Sequence, residues 1–474
     1  MSSKLNDLLR HWDNIQKELF KVKWLKYEDH NSKFFNALQR VKNVQRPLSF
    51  IKDGDTILDD RQSLSNHIVS NYTNLFNVPR CNENIKNGII PKLATEVDNL
   101  FLTSIPRDIE IKDAIFGLHK ESSPSPDGFT NHFFQVYGDV INMDVCKLVK
   151  HFFSEGSLSQ SCNAQFIFLI PKVENASDIA QFRPVSPVNT LYNIIAKILA
   201  NWLTHVSGKI IYWNQFGYVK GRKILYFFLT APECVNLLQN STRGGNIALK
   251  LEIRKAFDTI YWNFIGLILH EFGFKERFIQ RIKDLISSAN ISILINGSQK
   301  GYFKCSRGVR NGDPLSTIVF AIAEDYLNRL LLQMTFLGEL KTIRGARGIT
   351  APSHLLFADD IIIFTHGDKK NIQNLKMSLL HYEQVSGQVV NWGKSFIYFG
   401  KNISPLRKSC MINDDLGIRE GSLPFTYLGV PMFFERPYTS HFVKVVSQVR
   451  RTLSSWKGKA FSMAGRLCLV KHIV

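Results

Sequence analysis

The chain is 474 residues long, 45% apolar and 21% charged, which excludes wholesale disorder and leaves room for about three domains. Lys and Arg number 59 against 40 Asp and Glu, a net charge of +19, so a polyanionic partner, nucleic acid first, is expected. The seven cysteines are scattered, with no CxxC pair, which excludes a zinc knuckle and a disulfide framework and fits a reducing compartment. The N-terminus has no apolar h-region, and no run reaches 18 apolar residues. An intracellular protein, neither secreted nor membrane-spanning, is therefore expected, with nucleus and cytoplasm not resolved.

The excess positive charge gathers at the two ends. Residues 1–50 carry ten Lys/Arg against five Asp/Glu, and residues 401–474 carry twelve against four. Residues 3–40 read as basic helices whose Trp12, Trp24, Phe34 and Phe35 either pack inward or belong to an arm on a phosphate backbone. Residues 41–105 read as short strands and turns, with an Asp-Gly turn in IKDGDTILDD, and a helix near Leu64–Phe76. Residues 106–119 have helical spacing. SSPSPDG (122–128) is punctuated by proline and glycine and reads as an ordered loop before the main domain. FIFLIPK (166–172) reads as a buried strand. A helix follows Asn189, with Leu191, Ile194, Ile195, Ile198 and Trp202 on it and Asn189 as N-cap. IALKLE (247–252) alternates as a strand. Residues 368–386 read as an amphipathic helix, capped by Asp368, lined by Ile372, Leu375, Leu379 and Tyr382, and ended by Gly387.

The strongest local signal is LLFADDIIIF (355–364). Two short apolar runs flank Asp359 and Asp360, predicting a hairpin with two carboxylates at its tip. Adjacent acids there repel and desolvate each other, which a divalent cation relieves; the plain alternative is an acidic turn. Glu252 ends the IALKL strand, with Asp258 six residues on. It is positioned to supply a third acid for two-metal chemistry, or else to pair with Arg254 or Lys255. RGVRNGDPLS (307–316) reads as a loop whose glycines let its backbone approach something closely, or as an ordinary turn.

In order, KLEIRKAFD, RGVRNGDPLS and FADD resemble the motif series of reverse transcriptases. The flanking text resembles those of plant non-LTR retrotransposons of the LINE class over nearly the whole chain: WLKYEDHNSKFF (24–35), SPSPDGFTNHFFQ (123–135), LIPKVENASDIAQFRPVS (169–186), NQFGYVKGR (214–222), SGQVVNWGKS (386–395), LPFTYLGVP (423–431) and SSWKGKAFSMAGR (454–466). The resemblance implies an α+β right-hand polymerase of fingers, palm and thumb. Its palm would hold an antiparallel sheet carrying the catalytic acids, and a mainly helical linker would precede it. Residues 1–121 would be the linker region, 122–400 the fingers and palm, and 401–474 the primer-grip hairpin with part of a thumb. It implies templated DNA synthesis on RNA, with an RNA template, a DNA primer and deoxynucleoside triphosphates as partners, and two Mg²⁺ or Mn²⁺ ions.

Carried across by position, Asp359, Asp360 and Glu252 match the catalytic, metal-binding acids. Lys172 and Arg183 match finger cations at the incoming triphosphate. Phe257 matches the aromatic that rejects ribonucleotides. Arg310, Asn311, Gly312 and Pro314 match the loop beside template and nucleotide. Lys394 matches a lysine near the leaving pyrophosphate, and Tyr427, Leu428 and Gly429 match the primer grip.

The chain departs from the pattern in places. Glu252 stands where the family has Asp, adding one methylene, and Asn311 stands where Gln is usual. Tyr226 replaces a usual Asp, and Pro232 is expected to interrupt a helix. No endonuclease precedes residue 24, so the chain reads as a fragment of linker, polymerase core and partial thumb. Glu252 keeps a second reading open, a catalytically inactive, polymerase-like nucleic-acid binder.

Overall fold

The computed structural model describes residues 48–77, 84–120, 122, 125–158, 163–173, 175–288, 290–343, 351–434 and 438–453. The helices expected within residues 3–40 and the 454–466 motif lie outside the described residues.

The first described unit is a hairpin, β1 (Ile51–Asp53) and β2 (Thr56–Leu58), around the Asp-Gly turn, followed by helix α1 (Arg61–Phe76). Asp60 starts α1 by accepting the amides of Gln62 and Ser63, the usual remedy for unpaired first-turn donors. Two short helices follow, α2 (Glu96–Leu102) and α3 (Asp108–Phe116). Then come α4 (Asn131–Val136) and α5 (Gly138–Glu155).

The fingers sheet takes β3 (Ala164–Pro171), β4 (Phe182–Val185), β6 (Asn290–Ile295) and β7 (Ser298–Lys304) in the order β4-β3-β6-β7. β3 and β6 run parallel and the outer pairs antiparallel. Between β4 and β6 lie α6 (Thr190–Ile210), α7 (Ile224–Leu237), β5 (Asn246–Glu252), the short α8 (Ala256–Thr259), α9 (Trp262–Glu271) and α10 (Glu276–Ser287). Asn189 holds the N-cap position of α6 without a side-chain cap bond.

The palm sheet has the order β11-β10-β5-β9-β8. Its strands are β5, β8 (His354–Phe357), β9 (Asp360–His366), β10 (Phe396–Phe399) and β11 (Arg419–Glu420). The two central strands are buried on both faces, as their near-continuous apolar runs require. Helices α11 (Pro314–Phe336) and α12 (Lys369–Ser386) belong to this body, and α13 (Pro405–Cys410) precedes β11. Asp313 and Pro314 place an N-cap and a rigid first residue at the start of α11. Ile372, Leu375, Leu379 and Tyr382 are fully buried along α12, and Gly387 ends it at φ +77°. Asp368 sits at the N-cap, but its carboxylate goes to Lys341 at 2.6 Å. The chain continues through a hairpin, β12 (Phe425–Tyr427) and β13 (Val430–Met432), into α14 (Thr439–Leu453).

Mixed helix and sheet in this arrangement is the right-hand polymerase architecture that the motifs implied. The part of residues 1–121 that is described is built into the body. Ile51, Leu64, Ile68, Tyr72 and Phe76 share a core with Ile167, Ile291, Ile293 and Ile295 of the fingers sheet. Ile89, Leu102 and Ile111 join the main core with α6, α9 and α11. At the other end, β11 pairs with β10, so residues beyond 400 complete the palm sheet. Among the described residues no helix is long and apolar enough to cross a membrane, and Cys146, Cys234, Cys305 and Cys410 are free thiols.

One expectation fails. Pro232 does not interrupt the helix: α7 runs through it to Leu237. Phe227, Ala231, Cys234 and Val235 are buried on one face of α7, in the core beneath the palm sheet. That burial outweighs the local cost of the proline, about 3 kcal/mol for the lost bond and the ring clash. Pro232→Ala should therefore raise the thermal midpoint, with a gain of up to about 3 kcal/mol readable from denaturant melts.

Candidate active site

The palm sheet places the three acids on two adjoining strands and the turn that leads into one of them. β5 and β9 pair antiparallel with Glu252 directly opposite Asp360, so both side chains stand on the same face of the sheet. β8 and β9 form the predicted hairpin, with Phe357 paired to Asp360 and a two-residue turn of Ala358 and Asp359. Only the first turn residue has positive φ, Ala358 at +55°. Two-residue hairpins of that kind reserve the position for glycine, and an alanine there costs about 1–2 kcal/mol.

Burial pushes Asp359 above the usual carboxylate range, with the charge of Glu252 adding to it. Burial also pushes Asp360 up to about 6, reinforced by Asp359 and Glu252 and opposed by Lys250. Hard oxygen ligands from adjoining strands, penalised for their charge, fit a divalent cation. Among the described residues no three His, Cys, Asp or Glu side chains are drawn together as a ready-made metal site. Glu252 leans instead to Lys394, Nζ to Oε1 3.4 Å.

Next to the acids sits the β12–β13 hairpin. Its turn is Leu428 and Gly429, both at positive φ (+47° and +83°), the conformation a twisted two-residue hairpin needs. Tyr427 is buried, stacked on Phe227 at 5.0 Å, with the ammonium of Lys250 5.5 Å above its ring. Lys250 also donates to the carbonyl of Thr426. Sequence reasoning gave Lys250 no role, since an alternating strand hides which polar residue faces the site.

Phe257 stacks on Phe320 at 4.5 Å and meets the edge of Tyr218 at 6.0 Å. The RGVRNGDP loop lies against it, as its glycines suggested. The amide of Gly308 donates to Ile260 and that of Val309 to Phe257. A Cβ at Gly308 would sit 2.7 Å from the carbonyl of Asp258. Asn311 donates to the Asp258 carboxylate at 3.4 Å, and Gly312 (φ +93°) has open space where a Cβ would go. Asp258 is itself pushed up to about 6 by burial, against the charges of Lys255, Lys172 and Arg307. Lys172 lies just past β3, its ammonium donating to the carbonyl of Ala180 at 3.0 Å and its amide to that of Gln181 at 2.8 Å. Arg183, on β4 opposite Ile170, is exposed.

Arg310 of the same loop is buried. Its guanidinium lies 3.8 Å over the ring of Tyr192 and donates to Gln165 and Asn163. It ties the loop to the fingers strand β3.

Within NQFGYVKGR, residues 214–218 carry no periodic signal that marks a role. This segment runs along the free edge of β8. Leu356 donates to Asn214, Phe216 donates to Leu356, and Asn214 donates to His354. Beside it an open cavity of about 680 Å³ is lined by Lys197, Tyr218, Lys220 and Phe357, among others.

Beneath the site, Glu324 of α11 is fully buried and accepts the hydroxyl of Tyr382 at 2.6 Å. Burial pushes it up to about 8, with Asp359 and Asp325 adding to the rise and Tyr382 opposing it. The folded protein therefore keeps a proton that the unfolded chain loses near pH 4.3. Stability should fall as pH rises from about 4.3 to about 8 and level off above. Glu324→Gln should flatten that part of the profile, measured as melting temperature against pH.

The reverse transcriptase (RNA-dependent DNA polymerase) family matches residues 170–432, which contain Glu252, Asp359, Asp360, the RGVRNGDPLS loop and the β12–β13 hairpin. The "Transposon TX1 uncharacterized 149 kDa protein" of Xenopus laevis is 28% identical over 461 residues, covering 94% of this chain and 34% of its own length. A retrovirus-related Pol polyprotein from a type-2 retrotransposable element of Drosophila melanogaster is 27% identical over 287 residues, covering 58% of this chain and 25% of its own length. An uncharacterized mitochondrial protein of Arabidopsis thaliana is 40% identical over 67 residues, covering 14% of this chain and 55% of its own length. The chain thus spans about a third or less of the first two relatives. With more than half its length in the match, the chain belongs to the reverse transcriptase family, alongside proteins of non-LTR retrotransposons.

Proposed function

We propose that this chain is the RNA-directed DNA polymerase part of a LINE-type retrotransposon protein of the plant class. In this reading it extends a DNA primer on an RNA template with deoxynucleoside triphosphates. Residues 1–121 would be its N-terminal region, 122–400 its fingers and most of its palm, and 401–474 the last palm strand, primer grip and thumb. One observation carries the reading: Glu252 and Asp360 face each other across β5 and β9, with Asp359 in the turn beside them and the Tyr427 hairpin next to them. The Arabidopsis stretch supports the plant affiliation.

Glu252, Asp359 and Asp360 would hold Mg²⁺ or Mn²⁺. Bound there, two such ions supply the Lewis acidity that activates a primer 3′-OH and neutralises the triphosphate. The protein's own part is positioning and charge. Lys250 moderates the negative charge at Asp360 and fixes the β12–β13 hairpin, whose Tyr427–Gly429 turn steadies the primer end. Phe257 cannot swing aside, held between Phe320 and Tyr218, and so crowds a ribose 2′-OH. Lys172, Arg183 and Lys394 offer charge to the phosphates, while Asn311 and Gly312 offer a polar, open edge to the nucleotide. Arg310 supports that loop from behind.

The experiment is primer extension by the purified chain on annealed RNA, in Mg²⁺ and in Mn²⁺, with salt varied. Extension that needs the metal and weakens with salt supports the reading. A second reading, a polymerase-like nucleic-acid binder without catalysis, is favoured by the contact of Glu252 with Lys394. It predicts salt-sensitive binding and no extension.

A further inference from the structure

We propose that Gln215 is a positioning residue that holds the catalytic hairpin turn in its strained conformation and so sets where Asp359 stands. Gln215 is buried beside the turn. Its Oε1 accepts the amide of Ala358 at 3.0 Å and the amide of Gly217 at 2.8 Å. Two amides converging on one atom identify it as the oxygen. The side-chain nitrogen then donates to the carbonyl of Ala358 at 3.4 Å. One amide side chain thus engages both backbone groups of the residue at +55°.

The surroundings leave the turn little freedom. Gly217 lies so close that a Cβ would come within 2.5 Å of the Ala358 amide nitrogen. Strand-like bonds to β8 fix Asn214 and Phe216. The next residue, Tyr218, is itself at φ +61° and braces Phe257 edge-on. An alanine at a glycine position needs its neighbours to hold it there, and Gln215 does so from the side away from β9. A hairpin free to relax would swing Asp359, the next residue. Catalytic geometry tolerates little of that, about an ångström of misplacement costing about 10²-fold.

The catalytic consequence rests on the polymerase reading, whereas the clamp itself does not. The test uses the full chain as Gln215→Ala, Ala358→Gly and the double variant. Amide exchange at Ala358, Mn²⁺ affinity by electron paramagnetic resonance and primer extension are each measured, all repeated on a Glu252→Asp background. Gln215→Ala should speed Ala358 exchange selectively, with amides of α12 unchanged. It should weaken Mn²⁺ binding about 10- to 100-fold, the usual effect of losing a group that orients a ligand, and cut extension to match. Adding Ala358→Gly should restore part of both, because glycine holds +55° without help. A merely structural role predicts no such rescue. Unchanged exchange at Ala358 in Gln215→Ala overturns the clamp. Faster exchange with unaltered Mn²⁺ affinity and extension, or no rescue by glycine, overturns the positioning role. If the parent chains bind Mn²⁺ but extend nothing, the polymerase reading falls alone, and exchange, affinity and rescue still decide on Gln215.

Discussion

Glu252→Asp is expected to speed primer extension by about 10²-fold, the effect of moving a catalytic group by roughly an ångström. The backbone cannot absorb the extra methylene of the glutamate. Its amide donates to the Ser395 hydroxyl at 3.1 Å, and its carbonyl accepts the amide of Asn391 at 2.7 Å. The ladder to β9 locks the Cα opposite Asp360, and Ile253 bridges to Val390. With the Cα fixed, the longer side chain reaches past the position of a shorter acid, where Lys394 receives it at 3.4 Å. Aspartate withdraws from that lysine toward Asp359 and Asp360. Single-turnover incorporation in Mg²⁺ and Mn²⁺ measures the gain. A rate equal to or below that of the parent chain would show that the glutamate is already well placed.

Asp359→Asn is expected to lower extension by at least about 10²- to 10³-fold, the range for losing one preorganised charge-stabilising group. Binding to an annealed RNA–DNA duplex should not change, since Lys172 and Arg183 of the fingers and Lys394 are untouched. Stability should move the other way. Burial and the charge of Glu252 both penalise an ionised Asp359, and the neutral amide escapes both penalties. In metal-free buffer at neutral pH the variant should melt at or above the parent's temperature. A variant that is inactive because it is unfolded would melt lower, so the two measurements together separate chemistry from folding.

Much of the framework was legible because it obeys period and punctuation. The LLFADDIIIF hairpin, the IALKLE strand and the 368–386 helix are strong local patterns, and each forms within a few residues of its expected place. Tertiary context decided the rest. Pro232 is tolerated because one face of α7 is buried under the palm sheet, which local propensity does not register. Arg310 sits in a loop that motif order associates with the nucleotide, and its contacts, the Tyr192 ring and the side chains of Asn163 and Gln165, lie far away in sequence. Gln215 was invisible for a related reason: its importance lies in the backbone of Ala358, 143 residues away. Lys250 and Glu252 alternate correctly along β5, but only the register with β9 shows that they share a face with Asp360.

The most direct test of the central claim, that these three acids run templated nucleotide transfer, is single-nucleotide incorporation on an annealed RNA template. Each deoxynucleotide is offered separately, with Mg²⁺, with Mn²⁺ and with chelator. Incorporation of the complementary nucleotide only, in divalent metal only, faster in Glu252→Asp and lost in Asp359→Asn, is the expected result. Duplex binding by both the parent chain and Glu252→Asp, with no incorporation by either in either metal, would contradict it.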